Sequence, residues 1–396
     1  MAINANYRRV GFMLAVALIL LPVTPNAQSG AGRAEQPAVS SSLAAAMAQY
    51  RRAFEEYARA YEAYAALASA YWNSISEKRH LRASKRANNE QVLLTDYVLD
   101  QPPVYTGPPK PRDPSKPEEE QAHEAYVPIV ADFLTAAQQE FKFTPRLPHS
   151  ETEFKRAYAE VALAAGLTKD QIVRIYGFEA SGNGTYDVEA GLEYNKHGRA
   201  ITTALGYNQL LATNTVEIVA EKGRQFINDL AARAAQSPED TSRALVGKIA
   251  VLGKMIDFSR SVPDDWSRHE QLANTQKGLG IHAMNLDLDV GPLLQTQKLL
   301  DSVLFARRKG GREALTAAEL EMMNLTGDGN GFDMIMLPPT WREKVPTSNF
   351  FHRNGYKDNP VAQRNNVVAR LIAATDARMD QEMTKPGARE LAAALQ

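Results

Sequence analysis

Leu43, Met47, Tyr50, Phe54, Tyr57, Tyr61, Tyr64, Ala68 and Tyr71 follow one another at steps of four and three without interruption. Only a helix brings such positions to one side, because about 3.6 residues make a turn and a 3.5-residue repeat draws a continuous seam along it. The stretch "LAAAMAQYRRAFEEYARAYEAYAALASAYW" is therefore a long helix whose tyrosine-rich stripe needs a cover. Two covers fit the pattern. One is a second helix of the same chain over residues 75–97, giving a helical hairpin or coiled-coil-like segment; the other is self-association or a protein partner docked on the Tyr50–Tyr71 face.

Residues 100–120, "DQPPVYTGPPKPRDPSKPEEE", close that region, since proline removes backbone donors and fixes φ. Beyond them, helical spacing of apolar residues returns over 121–141, 151–165, 168–179, 214–235, 240–258, 291–309, 316–324 and 360–382. Only 185–205 alternates as a strand does. The expected fold class is mainly α (α+β): an N-terminal helical segment over 28–99, a proline-rich linker over 100–120, and a helical domain with a small β-hairpin over 121–396.

Arg8 and Arg9 precede an apolar run from Val10 to Leu21, which ends at Pro22 and a small-residue exit around Thr24 to Ala27. That order is the signature of an export signal, and the run falls short of the about 20 apolar residues that span a bilayer. Residues 1–27 are expected to be cleaved, leaving a periplasmic or secreted protein; an uncleaved inner-membrane anchor is the alternative. No cysteine is present, which excludes disulfides and lipid anchoring through an N-terminal cysteine. Removing residues 1–27 takes away two arginines and no acids, leaving 43 basic against 46 acidic residues. Such a balance carries no footprint for nucleic acid.

Within "IYGFEASGNGTYDVEAG", Glu179 stands where a helical pattern breaks into glycines. The helix begins with a capping-box pair, Thr168 and Gln171, and places Ile172, Ile175, Tyr176 and Glu179 on one face. A carboxyl among apolar groups loses hydration, and near a helix C-terminus it also meets the negative end of the dipole. Both raise its pKa, as a general acid requires. After the turn at Ser181–Gly184, Tyr186, Val188, Ala190, Leu192 and Tyr194 alternate with Asp187, Glu189, Gly191 and Glu193, so one strand face is acidic. Asp187 is nearest to Glu179 in sequence and is the candidate second acid. An outward Glu179, paired with Arg174 or Arg199, is the non-catalytic alternative.

Glu179 at a helix end, Ser181 and Gly182 after it, and then "ALGYNQLLATNTVEIVAEKG" over 204–223 resemble the soluble lytic transglycosylases of the lysozyme-like superfamily, over roughly residues 160–230. In that family a Glu-Ser pair precedes a Gly-Leu-Met-Gln-like turn that enters a helix. Gly206, Tyr207, Asn208 and Gln209 match the turn; Asn214 and Glu217 match the helix start. The chain departs in three places: Ala180 separates Glu179 from Ser181, the interval to Gln209 is long, and the family's Ala-Tyr-Asn-Ala-Gly motif has as its nearest counterpart "HAMNLDLDVGP", 282–292, with Met284 at the tyrosine position.

The resemblance implies cleavage of the β-1,4 bond between N-acetylmuramic acid and N-acetylglucosamine in peptidoglycan glycan strands. Glu179 would be both acid and base, no metal or other cofactor would be needed, Ser181 would orient the glutamate, and Gly206, Tyr207 and Gln209 would line the sugar groove. A degenerate, non-catalytic domain that binds glycan or a secretion-associated partner is the alternative from another class.

Three further features have plainer readings. "TGDGNGFD", 326–333, lacks the closing glutamate of a twelve-residue calcium loop and reads as a glycine-rich turn. The seven histidines, His282 and His352 among them, show no paired ligand spacing. Trp266, Trp341, Phe350, Phe351 and Tyr356 either pack or stack on sugars.

Overall fold

The computed structural model describes residues 37–116, 126–182, 200, 202–310 and 314–396, with side chains from residue 43 onward. The expected export signal, the hairpin with Asp187, Glu189 and Glu193, and Arg199 lie outside the described residues. Sixteen α-helices occur among them: α1 (Pro37–Ala87), α2 (Val130–Phe141), α3 (Glu151–Ala164), α4 (Lys169–Ala180), α5 (Ala212–Ala235), α6 (Glu239–Ser259), α7 (Trp266–Ala273), α8 (Gln276–His282), α9 (Gly291–Arg308), α10 (Ala317–Thr326), α11 (Asp328–Ile335), α12 (Pro339–Arg342), α13 (Arg353–Lys357), α14 (Pro360–Arg364), α15 (Val368–Glu382) and α16 (Pro386–Ala394). The protein is mainly helical; β pairing among the described residues is limited to the bridges Leu205–Leu210 and Pro346–Val367. No described helix is long and apolar enough to cross a membrane.

The described residues fall into two units: 37–57 with 109–116, and 58–108 with the rest. In the first, the stripe continues as ring contacts, Tyr50 on Phe54 at 5.8 Å and Phe54 on Tyr57 at 6.1 Å. The expected second helix over 75–97 is corrected: residues 75–87 prolong α1 itself, because nothing in "ISEKRHLRASKRA" breaks a helix. In the second unit the cover comes instead from the proline-rich stretch. Tyr105 packs on Tyr61 and Tyr64 at 5.7 and 5.4 Å, and the Tyr71 hydroxyl meets Ser348 Oγ at 2.7 Å. Residues 100–108 are thus packed structure, and the boundary expected at 100–120 does not separate two bodies there.

Arg82 anchors this part of α1. It is fully buried, donates to the Asp96 and Asn349 carbonyls, lies 4.3 Å over the Tyr97 ring, and is ion-paired with Asp333. A buried guanidinium needs that many partners, since each donor left bare costs on the order of 1–3 kcal/mol.

Two apolar cores share α9. Leu299, Val303 and Ala306 belong to one, with α3, α4, α10, α11, α15 and α16; Leu294 belongs to the other, with α2, α5, α6 and α8. The calcium-like segment "TGDGNGFD" is a correction too: only Gly327, at φ +80°, makes the turn, and Asp328 starts α11. A Cβ on Gly331 would come 2.3 Å from Met323 Cα, so glycine there lets α11 lie against α10. Phe350, Phe351 and Tyr356 are buried in the first core rather than in a groove.

Where α8 gives way to α9, "HAMNLDLDVGP" is a hub of buried charge. Lys248 Nζ donates to both oxygens of Asp287, at 2.6 and 2.7 Å, and to Asp289 at 2.5 Å. Arg146 and Arg233 reach Asp289 Oδ1, each at 2.8 Å. Although burial pulls the other way, hydrogen bonds from Arg146 and Lys248 hold the Asp289 carboxyl well below the usual carboxylate range. His282 packs edge-on against Phe133, and burial lowers its pKa to about 4, leaving it a neutral core imidazole.

Candidate functional site

The start of α4 follows its capping box: Gln171 N donates to Thr168 Oγ1 at 3.2 Å and Thr168 N to Gln171 Oε1 at 3.0 Å. Its end is fixed by backbone. Ser181 closes the helix in the left-handed region at φ +64°, Gly182 follows at φ +46°, and Gly387 N of α16 donates to the Gly182 carbonyl at 3.0 Å. Glu179, in the last turn of α4, is thereby held in place.

Its partners are on α10. Asn324 Nδ2 donates to Glu179 Oε1 at 2.8 Å, and the Glu179 and Glu321 carboxyls are hydrogen-bonded to each other. Glu321 is fully buried, and its Oε1 meets no donor. Two buried carboxyls in contact repel one another unless a proton lies between them. Burial raises both pKa values, and the Glu179 charge raises Glu321 further. Lys298 of α9 opposes part of this: its ammonium acts on Glu179, Glu321, Glu217 and Asp328 together, and burial lowers its own pKa.

Lys298 also borders a cavity of about 270 Å³, lined in addition by Asn214, Glu217, Trp266, Ser302, Met323 and Asp328. Glu217, in the second turn of α5, is pushed up to about 7 by burial and then by Glu221. Asp328 is also raised by burial and accepts a bond from Ser302 Oγ. The indole of Trp266 is 45% exposed, enough to offer a face to a ligand. A larger cavity, about 690 Å³, lies over the Lys248 hub, where Arg146, Arg233, Lys248 and Asp289 are already paired.

The sequence-derived candidates separate. Glu179 closes α4 against Asn324 of α10, and Arg174 is not its partner: that guanidinium pairs with Asp376 at 2.7 Å and Asp380 at 3.0 Å. Ser181 is exposed and serves as the helix cap; among the described residues the partners that hold Glu179 are Asn324 and Glu321. Tyr207 is corrected as a groove residue. It is fully buried, with its ring against Phe154, Tyr158 and Tyr176 at 5.1, 5.2 and 4.6 Å and its hydroxyl on Glu151. Each such ring pair contributes about 0.5–1.5 kcal/mol, so this tyrosine secures the turn.

Gly206 belongs to the same packing: at φ +84°, with Gln295 Nε2 only 2.3 Å from where a Cβ would stand, it admits no side chain. Gln209 adopts φ +47° and donates to the Gly206 carbonyl at 2.8 Å, closing the turn that feeds α5. The asparagine that reaches Glu179 is Asn324, not Asn285 of the 282–292 segment. Asn285 is buried and bonded to Thr215 and Gln295.

Glu321, Asn324, Lys298 and Glu217 were not singled out as functional residues from sequence. Their signals are faint but present: a lone acid inside "LEMMN", with Asn324 one turn on, and a lone lysine inside "LLQTQKLL". Replacing Glu321 with glutamine tests the pair without activity. Because both carboxyls are raised in the fold, the native state holds more protons than the unfolded chain above about pH 4.3, so their contribution to stability falls as pH rises. Glu321→Gln is expected to keep a donor for Glu179 while melting at a temperature that declines less between pH 5 and 8 than wild type. Parallel melting curves would count against the shared proton.

No family model, curated protein or solved structure matches the chain.

Proposed function

We propose that this chain is an exported peptidoglycan lytic transglycosylase in which Glu179 is acid and then base. The observation that carries the reading is the seat of Glu179: the last turn of a capped helix, two hydrogen-bond partners on α10, a raised pKa, and the Lys298 ammonium linking it to a cavity of about 270 Å³ that Trp266 borders. A carboxyl that keeps its proton toward neutrality can protonate a glycosidic oxygen. Departure of N-acetylglucosamine from the muramyl carbon is assisted by the substrate's own acetamido group. The Glu179 carboxylate then takes the proton of the muramyl 6-hydroxyl, whose oxygen closes the 1,6-anhydro ring. The proton given in the first step is the one recovered in the second.

Glu321 and Asn324 are positioning residues in this scheme: each donates to Glu179 and holds the carboxyl in one orientation. Lys298 limits the repulsion among the acids, so that Glu179 can pass through its charged form between the two steps. Trp266 offers a flat apolar face on which a sugar ring can stack.

Purified sacculi incubated with the mature protein and read by mass spectrometry test the reading. Soluble muropeptides with 1,6-anhydromuramyl ends are the expected product. Reducing ends would mean hydrolysis, with water taking the place of the 6-hydroxyl. Sacculi that retain the protein but release nothing would favour the non-catalytic binding module.

A further inference from the structure

Glu217, on the second turn of α5, meets Asp264, from the segment joining α6 to α7, and His269, from α7. One oxygen of each carboxylate and one ring nitrogen of the imidazole all lie within 4.8 Å of one another. His269 is 1% exposed, and its Nδ1 is buried without a hydrogen-bond partner. A buried imidazole nitrogen normally finds a donor or acceptor, because leaving it bare forfeits its hydration. Here Nδ1 has no such partner, yet the ring stands beside two carboxylates.

The neighbouring acid on the chain, Asp265, is committed elsewhere: its carboxylate accepts from Ser267 N and Arg268 N as the cap of α7. That bond fixes the start of α7 and so fixes both Asp264 before it and His269 one turn in. On the facing helix, Glu217 is crowded by Glu221, Asp264 and Asp301. Acids gathered in this way repel one another, and Lys298 offsets that repulsion at Glu217 only in part.

We propose that Glu217, Asp264 and His269 bind one divalent transition-metal ion, of which Zn²⁺ is the best match. An imidazole with two carboxylates suits zinc and its neighbours, whereas calcium and magnesium take oxygen ligands. A tetrahedral zinc ion about 2.1 Å from each ligand atom sets the three about 3.4 Å apart, a closure of at most about 1.4 Å. Asp264 is exposed and Glu217 is only partly buried, so the movement falls on side chains free to make it. Three protein ligands leave a coordination position open. Glu217 borders the cavity of about 270 Å³, while Asp264 and His269 border a second hollow of about 230 Å³, so the ion would stand between the two.

The test is titration of the EDTA-treated, dialysed full chain with ZnCl₂ at pH 7.5 by calorimetry, with bound metal counted by elemental analysis after dialysis. One Zn²⁺ per chain is expected, with binding at least tenfold weaker in Asp264→Asn and in His269→Ala, and with no comparable uptake of CaCl₂. Asp264→Asn changes an exposed position, so its result stands even if the buried His269 variant folds poorly. Absence of stoichiometric zinc uptake, or uptake that Asp264→Asn leaves unchanged, overturns the site. Calcium binding in place of zinc overturns the choice of metal and the role of His269.

Discussion

Glu179→Gln is expected to lower the rate of muropeptide release by about 10²–10⁴-fold, the usual contribution of a positioned general acid–base group, while leaving the protein at least as stable as wild type. The two halves of that expectation have one cause. Burial keeps Glu179 in an environment that disfavours its charge, and the hydrogen bonds from Glu321 and Asn324 and the Lys298 ammonium offset this only in part. Glutamine keeps the shape and an acceptor for Asn324 and has no charge to desolvate. Release assays and thermal melts on the same preparations measure both; a variant with lower stability and unchanged rate would place Glu179 among structural residues.

The second large effect falls on the fold. Lys248→Met leaves Asp287, whose side chain is fully buried, and Asp289 without the ammonium that joins them. Asp287 keeps donors from Arg146 N, Asp289 N and Val290 N, but no longer has a counter-charge in contact. Removing one partner of a buried ion cluster costs about 3–5 kcal/mol. Urea unfolding should show that loss, whereas Arg243→Ala, which breaks only the exposed pairs with Glu239 and Asp240, should stay within about 0.5 kcal/mol. The hub also has a pH signature. Asp289 is held below its ordinary range, so its contribution is complete above an unfolded aspartate's pKa of about 3.9 and is lost as pH falls through the folded value.

Helix existence was legible wherever a local signal and a periodic face agreed. The Thr168–Gln171 capping box, the 291–309 stripe and the 214–235 stripe each describe a helix to within a few residues, because short-range bonds and one buried face decide them. The expected helix over 360–382 is divided into α14 and α15. Asn365 does not continue the first segment, and Val345 takes the Val368 amide across the gap. The short α7, α8 and α11 passed unseen, since about two turns give too few positions for a period to register.

The site was half legible. Glu179 could be found because a helix end, an apolar face and a glycine turn coincide within a few residues. Its companions lie more than a hundred positions away on α9 and α10, and no local pattern says which buried polar groups will meet. Tyr207 illustrates the same limit in reverse. Its place in a motif-like turn suggested a groove, yet three aromatic rings that surround it come from α3 and α4.

The claim on which all this rests is that Glu179 holds its proton above the range of an exposed glutamate. Selective ¹³Cδ-glutamate labelling, with Glu179→Gln to identify the resonance, lets its carboxyl be followed by NMR from pH 4 to 8. The account predicts a midpoint above the about 4.3 of free glutamates, coupled to that of Glu321. A Glu179 resonance that titrates with the exposed glutamates would contradict it.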